Sequence, residues 1–303
     1  MFDIIGKRFW YFLISGIVIL AGIIALFAFG LKTGIEFRSG SEVTVSFEQP
    51  VDKQQVIQAL ADLGYGSGSA IVRRTGTDFI LDLPELNDAA KAALRAGLAD
   101  KLSQFKDGGF QLVSAKAAAD TTRNAAIAVI ISAIGMLLYI SWAFHRMPNP
   151  FRWGICAVAS LVHDVLVVVG VFAILGGIFG WEVDLMFIAG VLTVIGYSVN
   201  DTIVIFDRIR ENVSKYPGVD FEAVVNYSLV GTLSRTLITG LGTLYVLIAL
   251  LFVIGAPVQN LVVVLLVGIV TGTYSSIGTA ASLLVVWKKR EAGRFLPPAR
   301  ASG

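Results

Sequence analysis

Six long apolar stretches constrain this chain more than any other feature of its sequence. Each has the length of about 20 residues that a helix needs to cross the roughly 30 Å hydrocarbon core of a bilayer. They occupy residues 9–29, 125–144, 153–179, 185–206, 229–254 and 258–287. The chain is 55% hydrophobic and only 15% charged, which is too apolar for an ordinary soluble protein. The sequence therefore predicts a membrane protein with six transmembrane helices.

The first stretch has some features of a secretion signal. Lys7 and Arg8 precede it, and Ala28-Phe29-Gly30 has the small residues of a cleavage site. The stretch is longer than the roughly 7–15 residues of a signal-peptide core. We therefore expect it to be retained as the first span.

The positions of Lys and Arg predict the orientation, because cytoplasmic loops are enriched in these residues. Basic residues precede the first span, follow the second, fourth and sixth, and are missing from the short loops 180–184 and 255–260. Both termini are therefore predicted to be cytoplasmic. The predicted division is 1–30 for the N-terminus and first span, 31–123 for an outer, periplasmic domain, 124–287 for spans two to six and 288–303 for a cytoplasmic tail.

Residues 31–123 are polar and rich in turns. Alternation of apolar and polar residues predicts a strand at 41–47, and similar patterns predict strands at 69–74, 78–83 and 109–114, with a turn across 75–77. Helical spacing predicts helices at 51–63 and 87–102, the second capped by Asn87. This β-α-β-β-α-β order predicts an inserted α+β ferredoxin-like domain. The glycine-rich segment 64–68 lacks the G-x-G-x-x-G order of nucleotide loops and is predicted to be a turn.

Several function classes are excluded by composition. A net charge of +2 without a basic stripe argues against nucleic-acid binding. Two histidines, His145 and His163, and the single cysteine Cys156 make no known metal-binding pattern. No Walker A or G-x-S-x-G sequence is present, so we expect neither ATP use nor enzymatic catalysis. No cofactor is expected, and any work must come from an ion gradient.

Ionisable residues inside the apolar stretches are the candidates for function, since a charge at a helix centre costs at least about 2.5–3.5 kcal/mol. Asp201 lies near the inner end of the fourth span, and Arg235 lies near the inner start of the fifth. At about 1.5 Å per residue both fall roughly 8–9 Å inside the cytoplasmic boundary. The two side chains can pair if their helices touch.

Such a pair has two interpretations. A carboxylate balanced between burial and a nearby Arg suits a proton carrier. A static ion pair that locks two helices is the alternative, and Arg235 can also reach the membrane interface. Thr239, one turn beyond Arg235, and Tyr197, one turn before Asp201, add polar partners. Glycines such as Gly190 permit close helix packing.

His163 and Asp164 lie near the middle of the third span. Adjacent helical residues project about 100° apart, so we expect that these two do not act as one acid–base unit. For Asp164, a proton-pathway role and a packing hydrogen bond both stay open.

Three segments resemble the SecF members of the SecD/SecF family of membrane secretion subunits. They are GIEFRSGS at 34–41, GYSVNDTIVIFDRIREN at 196–212 and SRTLITGLGTL at 234–244. One span, an outer domain and five further spans is also the plan of half a resistance-nodulation-division transporter, the superfamily that includes this family. The first segment departs from the family pattern G-I/L-D-F-x-G-G-T at Glu36, Ser39 and Ser41.

The resemblance implies a role in protein export across the bacterial inner membrane. Asp201 and Arg235 then correspond to the family's proton-transporting pair, with Thr239 as an associate and the proton as coupling ion. The implied partners are SecD, the SecYEG channel, YajC and an unfolded preprotein, within a lipid bilayer. A non-conducting scaffold and half of a small-molecule efflux transporter are the alternatives, although the outer domain is small for a drug site.

Overall fold

The computed structural model describes residues 2–66, 70–75, 78–253 and 256–289. The chain divides into two compact units, of which one contains Lys32–Ile127 together with Glu182–Leu185 and the other contains the remaining described residues. Parts of six predictions lie outside the described residues. They are 67–68 of the glycine-rich turn, 69 of the second predicted strand, 76–77 of the hairpin turn, 254 of the fifth apolar stretch, 255 of the last short loop and 290–303 of the tail. The predicted domain boundaries stay predictions.

The elements follow one another in a simple order. They are α1 (Arg8–Phe29), α2 (Ile35–Arg38), β1 (Gly40–Phe47), α3 (Lys53–Asp62), β2 (Ile71–Thr75), β3 (Asp78–Leu83), α4 (Asp88–Lys101), β4 (Phe105–Val113), α5 (Ala115–Ala143), α6 (Pro150–Phe179), α7 (Leu185–Lys215), α8 (Phe221–Val253), α9 (Ala256–Ser275) and α10 (Ala281–Lys289). A π-helical turn, Ser276–Ala280, joins α9 to α10. Within the described part of the chain, six helices are long and apolar enough to span a membrane, as predicted, the sixth running from Val258 to Lys289 through the π-helical turn.

Three spans extend by two turns or more beyond their apolar stretches, and the first of them, α5, begins at Ala115 rather than at residue 125. The helix α7 continues to Lys215, and α8 begins at Phe221 rather than at residue 229. The added turns are polar, and those of α7 carry the ion pairs Asp207–Arg210 and Arg208–Glu211 at helical spacing. Such pairs stabilise a helix in water. The length of an apolar stretch indicates only the part of the helix that lies in lipid, so it does not include these polar turns.

The outer unit has the predicted β-α-β-β-α-β order. Its sheet is antiparallel with strand order β2-β3-β1-β4, the ferredoxin-like arrangement. Asn87 caps α4 by accepting a hydrogen bond from Ala90 N at 2.8 Å. The strand β4 starts before the predicted position, at Phe105. The register between β1 and β4 shifts where Thr44 pairs with Gly109 and Val45 with Asp107, so Gly108 is the extra residue of a bulge in β4.

Ser39, one of the three residues that depart from the family pattern, forms the turn between α2 and β1. Ser39 has φ 65° and ψ 162°, a backbone conformation that is almost confined to glycine and costs about 1–3 kcal/mol in other residues. Gly40 has φ 130°, and a Cβ there would lie 2.5 Å from Leu83 O. The hydroxyl of Ser41 accepts a hydrogen bond from Leu86 N at 2.9 Å. The turn therefore requires a glycine at position 40, and its backbone is strained at Ser39.

Candidate functional site

Asp201 lies on α7 where this helix packs against α9. Glycines on α9 permit the close approach, because a Cβ on Gly272 would lie 3.1 Å from Ser198 Cβ and one on Gly268 would overlap Val194. Asp201 is 4% exposed. A carboxyl group is thereby held inside the helical unit, where an uncompensated charge is costly.

The Asp201 carboxyl is poorly satisfied by its neighbours. Within the described part of the chain, Asp201 Oδ2, Tyr197 OH and Thr273 Oγ1 are buried atoms without a hydrogen-bond partner. The Thr273 side chain on α9 lies near the Asp201 carboxyl and interacts with it, although Thr273 Oγ1 makes no hydrogen bond of ordinary geometry to the described residues. Tyr197, one turn before Asp201, interacts with it electrostatically. Two hydroxyls without a hydrogen-bond partner among the described residues therefore lie near a carboxyl group that itself has an unpartnered oxygen.

Arg235 is not in direct contact with Asp201. Its side chain is exposed on α8 and lines a crevice of about 380 Å³ between α7 and α8, together with Asp207, Arg208 and Glu211. Its charge acts on Asp201 from a distance. The structure thus brings the two predicted residues into one neighbourhood without forming the ion pair, because Asp201 is turned toward α9 and Arg235 toward the crevice.

Thr239 is placed one turn beyond Arg235, as the helical spacing predicts. Its hydroxyl donates to Arg235 O at 2.8 Å, within the same helix, and the side chain is exposed. This local bond leaves Thr239 on the surface of α8 that carries Arg235.

His163 and Asp164 form one hydrogen-bonded unit, so the expectation that they act separately is wrong. His163 Nδ1 lies 3.0 Å from Asp164 Oδ1, and both residues are buried. The two Cβ atoms do project in different directions, but the side chains are long enough to meet beside the helix. Asp164 Oδ2 accepts hydrogen bonds from Ser198 at 2.6 Å and from Ser275 at 2.9 Å. His163 Nε2 contacts Ser15 Oγ on α1 at 2.9 Å.

We call His163, Asp164, Ser15, Ser198 and Ser275 the Asp164 network. It joins α1, α6, α7 and α9, and further hydroxyls extend it: Ser275 lies 2.9 Å from Ser160, and Thr202 lies 2.8 Å from Ser276. The π-helical turn begins at Ser276, and such turns are frequent at functional sites. The sequence does contain a signal for the Asp164 network, since hydroxyl residues recur along the last apolar stretch. These residues carry no charge, so a search for charges inside apolar stretches does not select them.

A second cluster of charges, which the sequence did not reveal, lies in the outer unit. Arg38 Nη2 is 2.7 Å from Asp82 Oδ2 and 3.4 Å from Glu182 Oε1. Arg73 Nη2 is 3.0 Å from Asp82, 3.0 Å from Glu42 and 3.4 Å from Glu182. Burial raises the pKa of the Glu182 carboxyl to about 7, and the nearby Arg73 opposes this shift. We call these five residues the outer charge cluster.

Glu182 belongs to a short segment that the outer unit holds by its backbone. Val183 N donates to Lys32 O at 2.7 Å, and Gly34 N donates to Val183 O at 2.8 Å. These bonds form a parallel bridge between Thr33 and Val183. The segment that leads into α7 is therefore fixed to the start of the outer unit by both backbone bonds and ion pairs.

Comparison with known proteins decides the family. The model of the family described as protein export membrane protein SecD/SecF, C-terminal, matches residues 94–290, and that of the SecD/SecF GG motif matches residues 24–51. The chain belongs to the SecD/SecF family. The second match covers the turn at Ser39 and Gly40, so the departures in this SecF-like chain lie within the variation of the family.

Curated relatives confirm the SecF side of the family. Protein translocase subunit SecF of Thermobaculum terrenum is 41% identical over 302 residues, which cover 96% of this chain and 95% of the relative. Protein translocase subunit SecDF of Bacillus subtilis is 35% identical, but the match covers 95% of this chain and 38% of the relative. The relatives are thus translocase subunits, and this chain matches a SecF along nearly its whole length.

A solved structure confirms the fold. The crystal structure of SecDF, a translocon-associated membrane protein from Thermus thermophilus, matches with a TM-score of 0.86 and 30% identity, over 95% of this chain and 39% of that protein. SecDF in the super-membrane-facing form matches with a TM-score of 0.68. The predicted class of six transmembrane helices with an α+β domain, on a resistance-nodulation-division-like plan, is therefore confirmed.

Proposed function

We propose that this chain is the proton-driven subunit of a Sec accessory complex and that it uses the proton-motive force to promote preprotein export. The observation that supports this most is Asp201, a buried carboxyl with an unpartnered oxygen in a chain whose relatives are translocase subunits. A buried charge without donors is poorly stabilised. Asp201 is therefore suited to change its protonation during a cycle rather than to hold one state.

Arg235 is the proposed electrostatic partner in this cycle. When Asp201 is charged it attracts Arg235, and when it is neutral this attraction is lost. The crevice between α7 and α8 leaves room for the Arg235 side chain to move. Each charge that crosses the membrane gains about 2.3 kcal/mol per 100 mV, so protonation can drive α8 relative to α7.

Asp164 and Thr239 have smaller proposed roles. The three hydrogen bonds to Asp164 favour the packing alternative over a place in the proton pathway, because they hold its carboxylate in one arrangement. Thr239 supports the backbone turn that carries Arg235. No cofactor and no catalytic chemistry are part of this proposal.

The proposed first partner is SecD. The relatives named SecDF are longer than this chain, which matches 38% of one and 39% of another, and their names point to SecD as the partner of the matched part. The helices α5 and α8 bury little of their apolar surface compared with α6 and α7, which leaves faces for partner helices and lipid. SecYEG, YajC and the emerging preprotein are proposed further partners.

The proposed location is the bacterial inner membrane, with both termini in the cytoplasm and the outer unit in the periplasm. This orientation rests on the positive-inside distribution of Lys and Arg. It puts the sheet of the outer unit on the side where an exported chain emerges.

The test measures preprotein release from membrane vesicles with and without a proton gradient. Asp201→Asn and Arg235→Met are expected to abolish the proton-dependent part of release while the complex with SecD still forms. Asp220→Asn is the matched control, since Asp220 is exposed before the start of α8, is paired with Lys289 and does not line the crevice. Normal stimulation in both variants would favour the scaffold alternative and contradict the proposal.

A further inference from the structure

A small space beside Gly240 is shared by three helices. A Cβ on Gly240 would lie 3.1 Å from Thr273 Oγ1 and 3.9 Å from Tyr197 OH. The Thr273 hydroxyl on α9 and the Tyr197 hydroxyl on α7 therefore lie beside Gly240 of α8, which has no side chain. Gly240 itself is buried, so this point lies inside the helical unit.

The two hydroxyls at this space, and one oxygen of the Asp201 carboxyl, which interacts with both of their residues, make no hydrogen bond to the described residues. Tyr197 OH, Asp201 Oδ2 and Thr273 Oγ1 have no partner among residues 2–66, 70–75, 78–253 and 256–289. Buried polar groups are nearly always hydrogen-bonded, to the protein or to ordered water. A buried water typically has two to four polar partners. These three atoms provide that number, two of them being hydroxyls that can both donate and accept.

We propose that Tyr197, Asp201 and Thr273 form a water site beside Gly240, and that protons reach and leave Asp201 through the water bound there. This inference rests on the proposed function. Tyr197 and Thr273 are positioning residues, because they hold the water rather than take the proton.

The transfer step uses a hydronium ion from the aqueous phase. One O–H bond of the hydronium breaks, a new O–H bond forms on Asp201 Oδ2, and neutral water stays at the site. Release is the reverse, with the proton passing back to a water. The charged and titratable groups that interact electrostatically with the carboxyl are Tyr197 on α7 and, from a greater distance, Arg235 on α8. Repulsion from Arg235 keeps the hydronium short-lived.

Gly240→Ala tests the site by filling it without changing any polar group. The added methyl falls at the shared point, close to only the flexible end of Thr273. Gly242→Ala is the matched control, since it adds the same methyl to the same helix where the described residues leave open space. In vesicles containing the complete complex, we expect proton-dependent release to fall about tenfold or more in Gly240→Ala and to be unchanged in Gly242→Ala.

Thr273→Val gives a second test that does not depend on packing at Gly240. It removes the hydroxyl at nearly constant volume, and Thr273→Ser restores it. We expect release in Thr273→Val to lose about tenfold and to change its dependence on external pH, with both effects reversed in Thr273→Ser. A merely structural defect would lower release by the same factor at every pH.

Two results would overturn the inference while the proposed function stands. One is wild-type release and pH dependence in both Gly240→Ala and Thr273→Val, with release abolished in Asp201→Asn. The other is an equal loss in Gly240→Ala and Gly242→Ala, which would show a packing effect of the helix. Retained stimulation in Asp201→Asn would instead contradict the proposed function itself.

Discussion

Two buried carboxyl groups on α6 and α7 have opposite surroundings. Asp164 accepts hydrogen bonds from Ser198 and Ser275 and contacts His163, whereas Asp201 has an oxygen without a partner among the described residues. Charge-assisted hydrogen bonds hold a buried carboxylate in place, and a carboxylate that lacks them is poorly compensated. The two carboxyl groups are both buried and differ in their hydrogen bonding, and the proposed function assigns proton transfer to the one with incomplete hydrogen bonds.

The largest expected effect concerns Asp164, the carboxyl group with three hydrogen-bond partners. Asp164→Asn should destabilise the chain by about 3 kcal/mol or more, since it weakens several hydrogen bonds to a charged group. Asp201→Asn should change stability by less than about 1 kcal/mol, because it removes a poorly satisfied charge. Thermal unfolding of the purified full chain in detergent measures both. Equal losses of stability would show that the two carboxyl groups have the same role.

A double-mutant cycle sharpens the comparison. Ser275→Ala combined with Asp164→Asn should show a coupling energy of about 1.5–3 kcal/mol, the range for a hydrogen bond to a charged group. The same serine substitution combined with Asp201→Asn should be additive within about 0.5 kcal/mol. Unfolding free energies of the single and double variants provide the measurement, and coupling of Ser275 to Asp201 would contradict the separation of the two sites.

Glu182 extends the comparison to a carboxyl outside the spans. Its pKa of about 7 lies above the ordinary value near 4.3, so the folded unit binds the extra proton. The resulting stability is complete below that ordinary value and is lost as pH rises through about 7. Hydrogen exchange at Val183 N, which donates to Lys32 O, should therefore be slower at about pH 6 than at about pH 8 after correction for the intrinsic rate.

Two substitutions test the assignment to Glu182. Glu182→Gln is neutral at every pH and should keep Val183 N protected at the higher value. Glu48→Gln, at an exposed position of the same unit, should leave the pH dependence as it is in the natural chain. If Glu182→Gln retained that dependence, another member of the outer charge cluster would be responsible.

The smallest expected effect concerns Thr239. Its hydroxyl bonds within its own helix, so Thr239→Val should change stability by about 0.5 kcal/mol at most. Preprotein release should fall far less than in Arg235→Met. A loss as large as that of Arg235→Met would assign Thr239 a direct part in proton transfer.

Much of the fold could be predicted because a long apolar stretch indicates a transmembrane helix and strict alternation of apolar and polar residues indicates a strand. Asp201 and Arg235 could be selected because a charge inside an apolar stretch is costly enough to need a reason. Thr273, near Asp201, and Ser275, which bonds Asp164, could not be selected from the sequence. An uncharged hydroxyl costs little free energy in a transmembrane helix, and which carboxyl it meets depends on how α9 packs. The outer charge cluster was equally hidden, because folding brings Glu182 to Arg38 and Arg73 from distant parts of the chain.

The contact between His163 and Asp164 shows a different limit. Helical geometry gives the directions of the Cβ atoms correctly, but it does not include the reach of the side chains. The expectation failed for that reason, while the same geometry placed Thr239 beside Arg235 and Tyr197 beside Asp201.

Infrared difference spectroscopy tests most directly whether Asp201 is the carboxyl that changes protonation. Spectra of the full chain with its partner, recorded before and after an acid-to-alkaline step, should contain the carbonyl band of a protonated carboxyl. We predict that this band is lost in Asp201→Asn and kept in Asp164→Asn, or in Ser275→Ala if the former does not purify. A band that persists in Asp201→Asn and disappears when the Asp164 network is altered would contradict the account.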